Sequence, residues 1–454
     1  MVAAPRSGGG KTTVTLALIA ALTRRGARIA PAKVGPDYID PRYHEAASGA
    51  GSVNLDAWSM EAGTLRALAQ THAAGRDHLV VEGVMGLFDG ARIGGAMAGS
   101  AEHHGHGGHG GTADIARALG LPVILVLDGS GQGQSVAAVA AGFAGLDVDV
   151  RVAGVILNNV AGARHEAMLR DALAMIGMPC LGALPRAPAL ARPSRHLGLV
   201  QAEEGALAAF LDEAAALAAA HIDLDALLAL AEPMAPAGAE TPKPLPPLGT
   251  RIAVADDVAF RFAYNHVLDG WRRAGASVHP FSPLADEAPD LQADAVFLPG
   301  GYPELHAGRL AANARFLDGL RARAAAGARV YGECGGYMVL GEGLVDADGT
   351  RHAMAGLLGL ETSFAERKRH LGYRLAEMAP GAAWLGGRTV RAHEYHYTSV
   401  LTERGDALLR VVGDGSGLGA SHAAGLRQGS VFGSFLHLIA EDAGSRAGQG
   451  VRKR

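Results

Sequence analysis

At 454 residues the chain is too long for one ordinary core, so two domains of roughly 200 residues each are expected. With 49% hydrophobic residues, 19% charged residues and 64 glycines, the composition fits a folded α/β protein and excludes a disordered one. A net charge of -4 gives no electrostatic footprint for nucleic acid or membrane, and two cysteines exclude a disulfide framework and suit a reducing cytoplasm. No signal peptide fits before a phosphate-binding pattern that begins near residue 5, and no apolar run is long enough to span a bilayer.

The short run Met1 to Ala4 leads into APRSGGGKTT and then the helical stretch VTLALIAALTRRG. Gly10, Lys11 and Thr12 match the end of a P-loop, where backbone N–H groups at a helix N-terminus hold phosphate. Lys11 then reaches the outer phosphates and Thr12 binds Mg²⁺, so Ser7, Gly8, Gly9, Gly10, Lys11, Thr12 and Thr13 are the expected ATP-binding residues. Pro5 replaces the first glycine of the pattern, although three consecutive glycines keep the loop open. The first strand is short, which points to a start upstream of Met1. A glycine-rich turn capping a helix is the bland alternative.

Further strands are expected at ARIAPAKV, DHLVVEG, LPVILVLD, VAGVILNN and MPCLGALP, with helices between them. Near-continuous apolar strands alternating with helices predict a parallel sheet covered on both faces. KVGPDYIDP closes one strand with Asp37 and Asp40, and HLVVEGVMGLFDG closes another with Glu82. Carboxylates at strand C-terminal ends, beside a P-loop, can bind Mg²⁺, while loop aspartates more often cap helices. EHHGHGGHGG, Glu102 to Gly111, offers His103, His104, His106 and His109 to a divalent metal, or is a surface loop. Cys180 reads as an inert core thiol, and Ala214 to Ala231 as one packed alanine-rich helix.

Ala231 to Thr250 carries six prolines and no apolar period, the mark of a semi-stiff linker. The alternation then restarts with RIAVAD, a helix through Tyr264 to Ala274, DAVFLPGG, a helix near Asn313 to Ala326, and ARVYGEC. Antiparallel strands are expected within Leu357 to Val400. The predicted organisation is residues 1–230, a linker over 231–249, a second domain over 250–445 and a loose tail over 446–454.

Gly332-Glu333-Cys334-Gly335-Gly336 falls between a strand and a helix, the setting of a nucleophile elbow. A tight turn there would expose the sulfur, and the helix N-terminus would favour thiolate. His437, in SVFGSFLHLIA, is the candidate base, and Gly300 and Gly301 of FLPGGYPE, with Gly335, are candidate oxyanion donors. In HEYH, His393 and His396 point to opposite faces of a strand and cannot share one metal, so the strand is structural or lies near substrate.

GECGGYM, LPGGYPE, HEYHYTS and SFLHL together resemble the class I glutamine amidotransferase domain of the cobyric/cobyrinic type. GKTT, VGPDYIDP, VVEGVMGLFDG and PSRHLGLV resemble the P-loop synthetase domain of the cobyrinic or hydrogenobyrinic acid a,c-diamide synthases. The resemblance covers nearly the whole chain. It implies two doubly wound domains: an N-terminal P-loop NTPase-like parallel sheet and a C-terminal flavodoxin-like amidotransferase domain. It further implies that Cys334, with His437, frees ammonia from L-glutamine, and that ATP and Mg²⁺ serve phosphorylation of a corrin carboxylate. Thr12, Asp40 and Glu82 would hold Mg²⁺, and Asp37, Tyr38, Ile39 and Asp40 would meet the corrin substrate. A cytoplasmic homodimer is the expected assembly.

The pattern departs from other class I amidotransferases at Ile439, two residues after the histidine, where those enzymes carry a glutamate. Glu441 is poorly placed to replace it, and the resembling family works as a Cys–His pair. Two other activities stay open: an a,c-diamide synthase acting on a nickel tetrapyrrole, and a metal-delivery P-loop NTPase using the His-rich loop. The edge chemistry does not say whether the ring carries cobalt, though an alanine-, glycine- and arginine-rich composition leans toward the cobalt-free route.

Overall fold

The computed structural model describes residues 1–91, 109–187, 204–238, 244–414 and 420–442. His103, His104 and His106, the PSRHLGLV segment and the tail over 446–454 lie outside the described residues. The chain divides into two compact units, Met1–Ile93 with Gly99–Pro242 and the part from Lys243 onward.

The first unit is built on β1 (Val2–Ala3), β2 (Ile29–Val34), β3 (Val53–Leu55), β4 (His78–Glu82), β5 (Val123–Asp128), β6 (Val152–Val160) and β7 (Cys180–Pro185). They form one parallel sheet in the order β3-β2-β4-β1-β5-β6-β7. Sheet residues such as Leu125, Val126, Ile156 and Leu157 are wholly buried, as two-sided coverage requires. The order reverses around β1, so the loops after β1, β2 and β4 open at one C-terminal edge, where ligands of open α/β sheets bind. Helix α1 (Lys11–Arg24) starts at Gly10, which takes a left-handed φ of 87°. A residue with Cβ would be strained there. Helix α2 (Asp40–Ser48) follows the second of these loops.

The alanine-rich stretch differs from the single helix expected. It forms Glu204–His221 and Leu224–Ala229, separated where Ile222 leaves the helix to bridge Gly182. Asp223 then caps the second helix, its Oδ1 accepting the Ala226 N–H at 2.9 Å. Cys180 is half-buried at the start of β7, and burial pushes its thiol pKa up.

In the second unit, β8 (Arg251–Ala255), β9 (Ser277–Phe281), β10 (Ala295–Leu298) and β11 (Arg329–Glu333) lie parallel. Then come β12 (Gly343–Val345), β13 (Arg351–Ala353), β14 (Gly359–Ser363), β15 (His370–Met378), β16 (Thr389–His396) and β17 (Ser399–Arg404). The last four are β18 (Asp406–Asp414), β19 (His422–Gln428), β20 (Val431–Ser434) and β21 (Leu436–Glu441). Ten of these make one sheet, β21-β16-β15-β18-β19-β20-β11-β10-β8-β9, parallel from β20 to β9 and antiparallel beyond. A smaller sheet, β13-β12-β14-β17, lies within the same unit. Leu245 and Leu248 of the proline-rich stretch are buried, and the Trp384 indole N–H donates to the Pro246 carbonyl at 3.1 Å. Among the described residues no helix is long and apolar enough to cross a membrane.

The helix that follows β11, Gly335–Leu340, packs so closely on β10 that a Cβ on Gly336 would lie 2.0 Å from the Leu298 carbonyl oxygen. Gly336→Ala is therefore expected to destabilise the second unit by about 1–3 kcal/mol, the usual effect of overpacking. Urea denaturation followed by tryptophan fluorescence measures it; an unchanged midpoint would mean that strand and helix do not meet this closely.

Candidate functional site

At the end of β1 the chain turns through the glycines into α1. Gly8 and Gly10 both have positive φ, at 78° and 87°. Ser7 and Gly8 are exposed, Gly9 is buried, and Lys11 and Thr13 at the head of α1 are half-buried. A Cβ on Gly10 would sit 2.0 Å from Asn158 Nδ2 at the end of β6. The cradle is thus closed on one side by a residue more than a hundred positions away in sequence.

Beside the cradle, three oxygens converge. Thr12 Oγ1 donates to Glu82 Oε1 in a short hydrogen bond and lies 3.4 Å from Asp40 Oδ2. The Lys33 ammonium, from the middle of β2, sits between the same two carboxylates, 2.6 Å from Asp40 Oδ2 and 2.8 Å from Glu82 Oε1. Glu82 Oε2 meets His44 Nε2 at 2.7 Å. All five side chains are buried. Burial raises both carboxyls, but for Glu82 the Lys33 charge and the His44 hydrogen bond overcome it and hold the group well below its ordinary range. For Asp40, burial and the neighbouring Asp37 win over Lys33 and lift it to about 6. Burial would lower Lys33, yet Asp40 and Glu82 raise it, and it stays an ammonium.

Asp37 has a local task. Its Oδ1 accepts the N–H groups of Ile39 at 2.8 Å and Asp40 at 3.0 Å, which fixes the loop entering α2. Asn54 anchors the same loop by donating to the carbonyls of Gly35 and Asp37 at 2.8 and 2.7 Å. Tyr38 is buried and Ile39 half-buried.

In the second unit, Cys334 stands between β11 and the helix Gly335–Leu340 with φ 46° and ψ -104°. That strained turn is what a nucleophile elbow requires. The Cys334 N–H donates to the Ser434 carbonyl at 2.8 Å. His437 lies on β21, paired in register with His393 on β16. A Cβ placed on Gly300 would be 2.3 Å from His437 Cε1, 3.1 Å from its Nε2 and 3.3 Å from Cys334 Cβ. The imidazole and the thiol-bearing carbon therefore converge over Gly300, where only a glycine fits. Gly301 N lies 3.0 Å from the position of a Cβ on Gly335, so the three candidate oxyanion residues also gather there.

Residues 1–200 match the CobQ/CobB/MinD/ParA nucleotide binding domain family, and residues 251–444 match the CobB/CobQ-like glutamine amidotransferase domain family. The chain is 55% identical over 443 residues to the hydrogenobyrinate a,c-diamide synthase of Brucella suis biovar 1 (strain 1330), covering 97% of this chain and 98% of that protein. Synthases of the same name from Rhodobacter capsulatus (55%) and Rhizobium meliloti (54%) match with the same coverage. The chain belongs to the hydrogenobyrinate a,c-diamide synthase family.

For a diamide synthase, two expectations about the thiol need correction. The sulfur is not exposed by its turn: Cys334 is only 3% accessible. Nor does the helix start favour thiolate here. Burial pushes the thiol pKa up, with the charge of Glu304 adding to it, and a helix of six residues has too small a dipole to compensate. Burial also lowers His437 to about 3, aided by His393 and His396 and opposed by a hydrogen bond to the Phe262 backbone.

Four residues of the two sites went unassigned in the sequence reading: Lys33, His44, Asn158 and Glu333. Lys33 had one visible signal, a lone lysine inside the apolar run IAPAKV. HEYH holds more than the opposed histidines, since Glu394 and His396 share a face and His370 pairs across from His396. The ligand atoms of these three lie within 4.8 Å of one another, but Glu394 already has a cation in Arg374 at 2.7 Å. His109, the described histidine of the His-rich segment, lies 3.7 Å from Asp114.

Removing one member of a buried ion pair leaves an uncompensated charge. Lys33→Met is expected to lower stability by about 3–5 kcal/mol, measured by chemical denaturation of the purified protein. Stability equal to the parent would show that Lys33 does not neutralise the two carboxylates.

Proposed function

We propose that this chain amidates the a- and c-acetate carboxylates of hydrogenobyrinic acid, a metal-free corrin, in cobalamin biosynthesis. ATP and L-glutamine are the co-substrates. The observation that carries the reading is the convergence of Cys334 and His437 over Gly300, in a chain that also holds a P-loop beside a buried acid pair.

Glutamine supplies the nitrogen. His437 takes the proton from Cys334, and Sγ attacks the side-chain amide carbon. The oxyanion that forms is held by N–H groups at Gly300, Gly301 and Gly335. Collapse, with His437 passing its proton to the leaving nitrogen, expels ammonia and leaves a thioester, which water hydrolyses to glutamate and the free thiol.

ATP supplies the driving force. Its phosphates lie along Ser7 to Thr13, and Lys11 reaches the outer ones. The γ-phosphoryl group passes to a substrate carboxylate, giving an acyl phosphate and ADP. Ammonia then attacks the acyl carbon and phosphate leaves, so each amide consumes one ATP. A hydroxyl and two carboxylates, Thr12, Asp40 and Glu82, are the hard oxygen donors that Mg²⁺ takes. When bound, Mg²⁺ neutralises charge on the transferred phosphoryl group. Asp37 fixes the loop that presents Tyr38, Ile39 and Asp40 to the carboxylate arm of the ring.

The nitrogen source separates the two halves of the reaction. Cys334→Ala and His437→Ala should lose synthesis from glutamine and keep synthesis from ammonium chloride. Lys11→Ala should lose both, by about a hundredfold or more, because every nitrogen source needs the acyl phosphate. Product mass spectra on the same purified variants give the answer, and normal ammonia-driven amidation by Lys11→Ala would sink the P-loop assignment. Substitution of Ile39 by Ala should stall the reaction at a monoamide while ATP binding changes little, read by the ratio of mono- to diamide. Equal loss of both amidations with weakened ATP binding would contradict the role of this loop.

A further inference from the structure

Ile439 stands where other class I amidotransferases carry the glutamate that orients the histidine, so the strand of the base offers no carboxylate at that position. The fold supplies one from another strand. We propose that Glu333, the residue immediately before the nucleophile, is the positioning residue for His437. It rests on the reading of Cys334 and His437 as the glutamine-cleaving pair.

Glu333 ends β11 and is buried, as is His437. Its two oxygens are divided between tasks. Oε1 accepts two hydrogen bonds, from the Tyr331 hydroxyl at 2.9 Å and from the Leu438 backbone N–H at 3.0 Å. Those bonds fix the carboxylate and tie it to the strand that bears the base. Oε2 then lies 3.6 Å from His437 Nδ1, a contact that tightens to a hydrogen bond with a small movement of the ring. On the other side of the ring, Nε2 and Cε1 approach Gly300, beside Cys334 Cβ. Carboxylate, imidazole and thiol thus lie in the order required for a base with an orienter.

A carboxylate on Nδ1 selects the tautomer with the proton on Nδ1, so that Nε2 carries the lone pair that takes the thiol proton. When that proton moves from Sγ to Nε2, the new imidazolium is adjacent to Glu333, and no other bond changes. Glu441 cannot do this, because it pairs with Arg388 at 2.7 Å. The remaining groups facing the pair are unsuited. His393 and His396 on β16 oppose a positive His437, the Phe262 backbone hydrogen-bonds its ring without supplying charge, and the charges of Glu304, Glu333 and Glu394 all disfavour a thiolate. Burial lifts the Glu333 carboxyl to about 8. The working carboxylate form therefore grows as pH rises through that value, and turnover of glutamine should rise with it.

The test separates charge from shape. In Glu333→Gln the amide oxygen still accepts from Tyr331 and Leu438, but the NH₂ group faces Nδ1 and enforces the wrong tautomer. Glu333→Asp keeps the charge and loses the fit. The full chain should show a fall in kcat with glutamine of about a hundredfold or more for Glu333→Gln, with KM little changed, ammonia-dependent synthesis within about twofold, and no rise in rate near pH 8. Glu333→Asp should retain more glutamine activity than Glu333→Gln. A structural role predicts the opposite order, and that order overturns the proposal. So does a Glu333→Gln enzyme with the parent's glutamine rate and pH profile, or one that loses both nitrogen sources alike while Glu333→Asp does too. Cys334→Ala, run in parallel, distinguishes the two levels. If it abolishes glutamine use while Glu333→Gln does not, only the role of Glu333 fails; if it leaves glutamine use intact, the reading of the whole site fails.

Discussion

A lysine ammonium sealed between two carboxylates organises the phosphate end of the first unit. Lys33, Asp40 and Glu82 come from β2, the start of α2 and the end of β4, and each is nearly inaccessible to water. Two carboxylates so placed would repel, and one would protonate, unless a cation stood between them. With Lys33 there, Asp40 and Glu82 can both turn oxygens toward Thr12, at the head of α1. His44 and the Asp37 turn complete the support. In the proposed function, this buried cluster supplies the oxygen set for a divalent ion beside the P-loop and the edge at which a carboxylate substrate is met.

The second unit obeys a different constraint, which is space. Gly300, Gly301, Gly335 and Gly336 all lie where a Cβ would strike backbone or the His437 side chain at 3.0 Å or less. The elbow can approach β10 and the base only because these side chains are missing. The same closeness buries the thiol and the imidazole and disfavours the charged form of each, so that in the proposed function deprotonation of Cys334 falls to His437 rather than to the helix dipole.

Legibility in the sequence followed the range of the interactions. The P-loop, the elbow and the parallel strands were readable because each rests on residues adjacent in the chain: glycines before a helix, or apolar runs between helices. Asp37 was readable only as an alternative between capping and catalysis; its hydrogen bonds to Ile39 and Asp40 brace the loop before α2 without capping that helix. Lys33 was not readable, since a lysine in an apolar strand gains its meaning from two carboxylates brought by other elements. Glu333 was not legible for a related reason: adjacency along the strand of His437 leads to Ile439, whereas the carboxylate arrives from β11 across the sheet. HEYH was half legible. Strand alternation correctly opposed His393 and His396, but only the register reveals that His393 lies opposite His437. The split near Ile222 escaped because a tertiary bridge to Gly182, not helix propensity, decides it.

The central claim is that glutamine nitrogen replaces a phosphorylated oxygen of the ring's own acetate groups. One labelled turnover tests it. Hydrogenobyrinic acid carrying ¹⁸O in its carboxylates, ATP and amide-¹⁵N glutamine would be converted by the purified protein, and the corrin and the phosphate weighed by mass spectrometry. The account requires ¹⁵N in both new amides and one ¹⁸O in each phosphate released. Phosphate free of ¹⁸O, or amides free of ¹⁵N, would contradict it.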